Sequence, residues 1–162
     1  MERITQNLDL SAKGIWFPIT LGTIALIYII FMPKRLSWRE IYFIFGTTGY
    51  VAIIIDVFLM LNYLDVFDLG RDPKQEGIGD LISMGIIPSC YATIFLNYFK
   101  QEKKWIYVTL FTIVSFFSEW MLVQIGYMKL KGWHTLWSIP VFIIVFGFWL
   151  PWQLKLLRKR HT

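Results

Sequence analysis

The sequence predicts an all-α polytopic membrane bundle of about five transmembrane helices, with the amino terminus outside and the carboxyl terminus cytoplasmic. Three observations carry that prediction. Apolar residues make up 56% of the chain and aromatics 19%, and the mean hydropathy is +0.53, beyond the usual apolar content of a soluble domain. Five apolar stretches lie at 15–32, 41–64, 78–99, 105–127 and 136–153, each near the ~20 residues that cross ~30 Å of hydrocarbon. Ten of the 16 Lys and Arg side chains fall on one side of the bundle that these segments define, as expected where basic loops resist translocation. Backbone groups in lipid must be satisfied within the segment, which requires helices. Runs such as Ile53, Ile54 and Ile55 lack the alternation of a membrane β-barrel.

The first segment follows a short leader holding Glu2, Arg3, Asp9 and Lys13, which has no net side-chain charge. Phe31, Met32, Pro33 and Lys34 stand where a small-x-small cleavage site would be, so the segment is expected to be a retained helix. The second carries Gly49, Ala52, Asp56, Met60 and Tyr63 at spacings of three and four. The fourth repeats that pattern with Thr112, Ser115, Glu119, Leu122 and Gly126, a stripe suited to close helix contact. Pro88, Pro140 and Pro151 are expected to kink or end the third and fifth helices, their freed carbonyls satisfied by neighbours. The fifth segment ends in Lys155, Arg158, Lys159 and Arg160, a basic stop on the cytoplasmic side. Trp16, Trp133 and Trp137 fall near the outer boundary, and Trp38, Trp105, Trp149 and Trp152 near the inner one, as in an aromatic belt. The connections leave no room for a soluble domain, so 1–162 is read as a single transmembrane bundle.

Asp56, Asp80 and Glu119 lie within or at the edge of apolar segments, where an unpaired charge costs a few kcal/mol, and such residues are functional candidates. At 1.5 Å rise per residue, Asp56 and Glu119 both sit about 12 Å below the outer surface. They are candidate catalytic groups. Together with Asn62, Asp80, Gln124 and His134 they outline an expected outward-opening ligand or ion pocket. The structural alternatives stand beside this. A protonated Asp56 or Glu119 serves as interhelical hydrogen-bond glue, and Asp80, two residues inside its helix, suits the positive helix amino terminus. The loop from Asp65 to Pro73 has carboxylates but not the spacing of a calcium site.

The absences narrow the classes. There is no GxSxG elbow, HExxH pair or phosphate-cradling glycine loop, so hydrolase, zincin and nucleotide-driven readings have no motif behind them. A single cysteine, Cys90, excludes an internal disulfide and a cysteine-rich metal site. Neither a metal nor a cofactor is expected. The basic residues sit in short clusters between apolar segments, which reads as topology and not as a nucleic-acid surface.

From Gly79 onward, Asp80, Pro88, Ser118-Glu119, Gly126 and Gly132-Trp133 occur in an order that resembles the small five-helix membrane proteins of endospore-forming bacteria, a family of unknown function. That resemblance implies a bacterial cytoplasmic membrane, the same helix count and importance for Glu119 and Trp133, but no activity. A fainter likeness, on Glu119, Gly126 and Trp133, is to integral-membrane carotenoid cyclases and hydratases. The leading functional expectation is a non-enzymatic accessory subunit or a solute or ion path, working in the lipid bilayer as a homo-oligomer or with a membrane partner protein. The alternatives are a lipid- or isoprenoid-acting enzyme with Asp56 and Glu119 as acid and base, and a small-molecule sensor.

Overall fold

The computed structural model describes residues 9–58, 65–70 and 77–159. Its five helices run in chain order as α1 (Trp16–Phe31), α2 (Trp38–Val57), α3 (Ile78–Tyr98), α4 (Lys104–Gln124) and α5 (Thr135–Lys159). The last four are long and apolar enough to cross a membrane, and α1 is a shorter apolar helix. In α3, 61% of the most apolar window is buried, against 22–28% in the other three long helices, which makes α3 the central element. Helices α1 and α2 pack on it, and α4 packs on α5.

The helix ends follow from local chemistry. Helix α1 stops at Met32, which is extended (ψ 148°) because the residue before a proline, here Pro33, is pushed out of the α region. Helix α2 begins with a capping box: Ser37 Oγ accepts from Glu40 N at 3.2 Å, and Glu40 Oε2 accepts from Ser37 N at 2.8 Å. This starts the helix ahead of the expected residue 41. Its expected stretch 59–64, with Asn62, Met60 and Tyr63, lies outside the described residues. Asn97 of α3 ties down the link between α1 and α2. Its Oδ1 accepts from Arg35 N and Leu36 N (2.8 and 3.2 Å), and its Nδ2 donates to Pro33 O (3.0 Å). Helices α2 and α3 come close at Gly49, where an added Cβ would lie 2.8 Å from Ser89 Oγ.

Two expectations are corrected. The fourth helix ends at Gln124, not 127. Gly126 adopts φ +77°, Gly126 N donates to Val123 O, and Tyr127 N donates to Leu122 O, both at 3.0 Å. That Schellman stop is built on a glycine free to take the left-handed region. Gly126 is therefore past the helix and not part of its stripe. The end of α5 moves the other way, and of the expected kink or end at Pro88 and Pro151 neither is an end, since α3 and α5 continue past them. Each sits two residues after a π-helical segment, Ile82–Ile86 in α3 and Val145–Trp149 in α5. A proline ring collides with the carbonyl four residues earlier, and the wider π turn, with bonds from Ile87 N to Ile82 O and from Leu150 N to Val145 O, makes room there. Helix α5 thus continues beyond the expected residue 153 to Lys159.

Two short segments, one ahead of α3 and one after α4, form an element that the sequence reading left as loop. Strand β1 (Phe67–Leu69) pairs antiparallel with β2 (Met128–Leu130), in the register Phe67 with Leu130, Asp68 with Lys129 and Leu69 with Met128. Phe67, Leu69, Leu122, Tyr127 and Met128 form a small apolar cluster beneath this ribbon. The main core lies toward the other end of the bundle. Fully buried Phe95 meets Phe111 and Phe146 there, with ring centroids 5.1–5.6 Å apart, spacings typical of favourable edge and tilted contacts.

Candidate functional site

A cavity of about 490 Å³ lies between these two clusters, with all five helices and both strands contributing to its wall. Phe67 and Met128 of the ribbon border one end, and Phe146 and Leu150 of the main core border the other. Most of the wall is apolar. Val51 and Ile55 of α2 and Val141 and Ile144 of α5 line it and are also exposed on the bundle surface, Ile55 by 50% and Ile144 by 59%. The cavity therefore opens sideways, between α2 and α5. The same two helices are joined at their other ends, where Gln153 Nε2 donates to Thr47 Oγ1 and Arg158 Nε meets Glu40 Oε1 at 3.0 Å.

Two of the six expected pocket residues meet in this cavity. Asp56 of α2, 7% exposed, and Glu119 of α4 both line it. Glu119 ends a hydrogen-bonded chain in which Trp133 Nε1 donates to Ser138 Oγ (3.0 Å) and the Ser138 hydroxyl donates to Glu119 Oε1 (2.7 Å). Across the wall, the Ser118 hydroxyl donates to Val114 O at 2.9 Å. The Tyr91 hydroxyl, 2.7 Å from Ser118 Oγ, is accordingly the donor in that pair. Thr48 of α2 adds a hydroxyl that is 4% exposed and has no hydrogen-bond partner among the described residues. Such groups normally have a partner.

Of the other four expected residues, the three that are described do not join them. Asp80 is 3% exposed but turns to its own helix end and the ribbon. Its Oδ2 accepts from Gly77 N at 2.8 Å and its Oδ1 from Tyr127 Oη at 2.7 Å, so it caps α3. Gln124 and His134 are exposed, the latter beside Trp137, and neither borders the cavity. Asn62 lies outside the described residues. In the Asp65–Pro73 loop, Asp65 and Asp68 each hold Lys131 Nζ at 3.0 Å. No group of three metal-ligating side chains occurs among the described residues.

Sequence reasoning missed Ser138, Tyr91 and Thr48. A hydroxyl in an apolar helix bonds to its own backbone as readily as to a partner, so its sequence position alone carries no signal of a site. Trp133 was read as part of the outer aromatic belt and was joined to Glu119 only through the family resemblance, and its path to Glu119 runs through Ser138. Outside the spans, burial and the bond to Asp80 push the Tyr127 phenol above its ordinary value. The hydrogen bonds to Asp68 and Asp65 raise the Lys131 ammonium. Comparison with family models, with curated proteins and with solved structures found no match, so the reading of this site rests on its geometry.

Proposed function

We propose that this chain is an integral membrane protein, amino terminus outside and carboxyl terminus cytoplasmic, that draws an amphiphilic small molecule from the bilayer into the cavity between α2 and α5. The observation that carries this reading is the side opening. Apolar residues shared between the cavity wall and the bundle surface give a lipid-dissolved chain a continuous path inward, and a mostly apolar pocket of this size with a few convergent polar groups is the usual form of a small-molecule site. Glu119, aligned by Ser138 and Trp133, and Asp56 would meet the polar end. The orientation is supported by Lys34, Arg35, Arg39, Lys100, Lys103, Lys104, Lys155, Arg158 and Lys159 gathering at one end of the helices, the pattern of a cytoplasmic face. The Phe95, Phe111 and Phe146 cluster favours a dead-end pocket over a polar path through the bundle.

Native mass spectrometry of the chain purified in a mild detergent tests this. A defined apolar or amphiphilic adduct is expected at one per chain, and Ala52→Phe, which fills the cavity wall, should remove it. A ligand-free oligomer would instead favour an accessory or conducting role. One observation favours a second reading: two carboxyls on one volume are what an acid and base require. On that reading the adduct is turned over and Glu119→Gln stops the turnover while binding persists.

A further inference from the structure

We infer that the molecule this cavity takes carries a cationic head, of the ammonium class, on an apolar chain. The inference rests on the ligand-binding reading above and adds the chemistry of the head. Among the described residues the cavity is lined by two carboxyl side chains, Asp56 and Glu119, and by no Lys, Arg or His. The basic side chains among the described residues lie elsewhere, at the helix ends and in the ribbon, with Lys131 already held by Asp65 and Asp68.

The sign of that inventory decides among common amphiphiles. A phosphate, sulfate or carboxylate head would bring a like charge toward carboxyls in a medium where charge interactions are far stronger than in water, with no cation among the described residues of the wall to offset it. A cationic head gains from the same carboxyls. The aromatic content of the wall acts in the same direction. Tyr91, Trp133 and Trp149 line the cavity with Phe67, Phe142 and Phe146, and aromatic faces stabilise ammonium groups, more so when these are desolvated. The remaining hydrogen-bonding groups suit a small polar head at the carboxyl end. Ser138 and Trp133 already direct their protons along the chain to Glu119, so that array presents acceptor capacity, and the buried Thr48 hydroxyl, unpartnered among the described residues, lines the wall on the α2 side. The apolar chain would lie against Val51, Ile55, Val141 and Ile144 and leave through the portal.

Three probes that share one dodecyl chain separate the head from the tail: dodecyltrimethylammonium, dodecyl sulfate and dodecanol. Each is added to the full chain in a neutral maltoside micelle, and bound copies are counted by native mass spectrometry. The ammonium probe is expected to bind about tenfold more tightly than either of the others, a difference of ~1.4 kcal/mol. Glu119→Gln should abolish that preference. The glutamine carbonyl still accepts the Ser138 hydroxyl, so the fold is kept, and helical circular dichroism checks this. Glu119→Asp, which keeps the charge, should retain the preference. If dodecanol binds as well as the ammonium probe, or the sulfate binds better, the cationic head is wrong while the cavity reading survives. If none of the three binds and Ala52→Phe changes nothing, the ligand-binding reading itself falls.

Discussion

Two carboxyl sites lie toward the same end of this bundle, and their surroundings differ. At the cap, Asp80 has one oxygen taken by Gly77 N and the other by the Tyr127 hydroxyl, with an added Cβ at Gly79 unable to fit against the same tyrosine. At the cavity, Glu119 accepts from Ser138 and shares with Asp56 a border on about 490 Å³ of open volume. The difference teaches that burial alone does not identify a working carboxyl. Asp80 is the more deeply buried in its local structure, and its hydrogen bonding serves the helix and ribbon. Glu119 is held by a side-chain relay that orients it toward space.

If that contrast is right, substitutions at the cap cost stability and substitutions at the cavity cost ligand. Gly79→Ala is expected to have the largest effect. Its Cβ would collide with Tyr127 Oη and lie 2.9 Å from Cζ, and Tyr127 is 1% exposed, so overpacking should cost about 1–3 kcal/mol with the Tyr127 bond to Asp80 lost in addition. Thermal unfolding in detergent would read it, and an unchanged midpoint would show that the cap is not tightly packed. Tyr127→Phe removes only the hydroxyl and leaves Asp80 Oδ1 without that donor, at a cost of about 1–3 kcal/mol. The comparison breaks if this variant instead sheds the bound molecule at full stability.

The pH response of the ribbon sharpens the same point. Tyr127 and Lys131 both hold their protons more tightly folded than unfolded. The stability they add is complete below about pH 10 and falls as the pH rises past the unfolded values. Hydrogen exchange at 66–69 and 127–131 should therefore accelerate in alkali, and less steeply in Tyr127→Phe. A ribbon that loosened in acid instead would contradict the assignment. Glu119→Gln should cost less than about 1 kcal/mol, since its carbonyl still accepts from Ser138, while the adduct is held about tenfold more weakly. Smallest of all, Arg158→Ala should shift stability by about 0.2–1 kcal/mol, because the Arg158 side of its pair with Glu40 is exposed and pairs at the surface contribute little.

The five helical segments were legible because runs of 18 or more apolar residues have few other solutions. Asp56 and Glu119 were legible for the same reason, as rare charges in such runs. Gln124 was drawn into the expected pocket as one of the polar residues that lean toward the outer end of the segments; it also shares a helix with Glu119. Five residues further on, however, it is turned by about 140° around the helix, and it is exposed. The ribbon was missed because three residues of alternation on each strand fall below what a period can show. Its one strong local signal was Gly126, which had been assigned to helix contact and not to the turn that ends α4. Asn97 was missed because an asparagine near a helix end looks like any interfacial polar residue until the link it anchors is seen.

The two π turns make the molecule tolerant of one change in chain length and sensitive to the next. Each accommodates one residue more than an ordinary turn, so a single-residue deletion within Val145–Trp149 restores regular α5 hydrogen bonding and leaves the two flanks of the helix in nearly the same rotational phase. A second deletion there has no such slack: one side turns by about 100° relative to the other. With the Gln153 and Arg158 end held to α2, Ser138 would then swing off Glu119 and the portal residues Val141 and Ile144 would face elsewhere. The fold would survive as a bundle of the same helices. The pocket exists only at one phase of α5, and the π turn holds one residue in reserve to keep that phase.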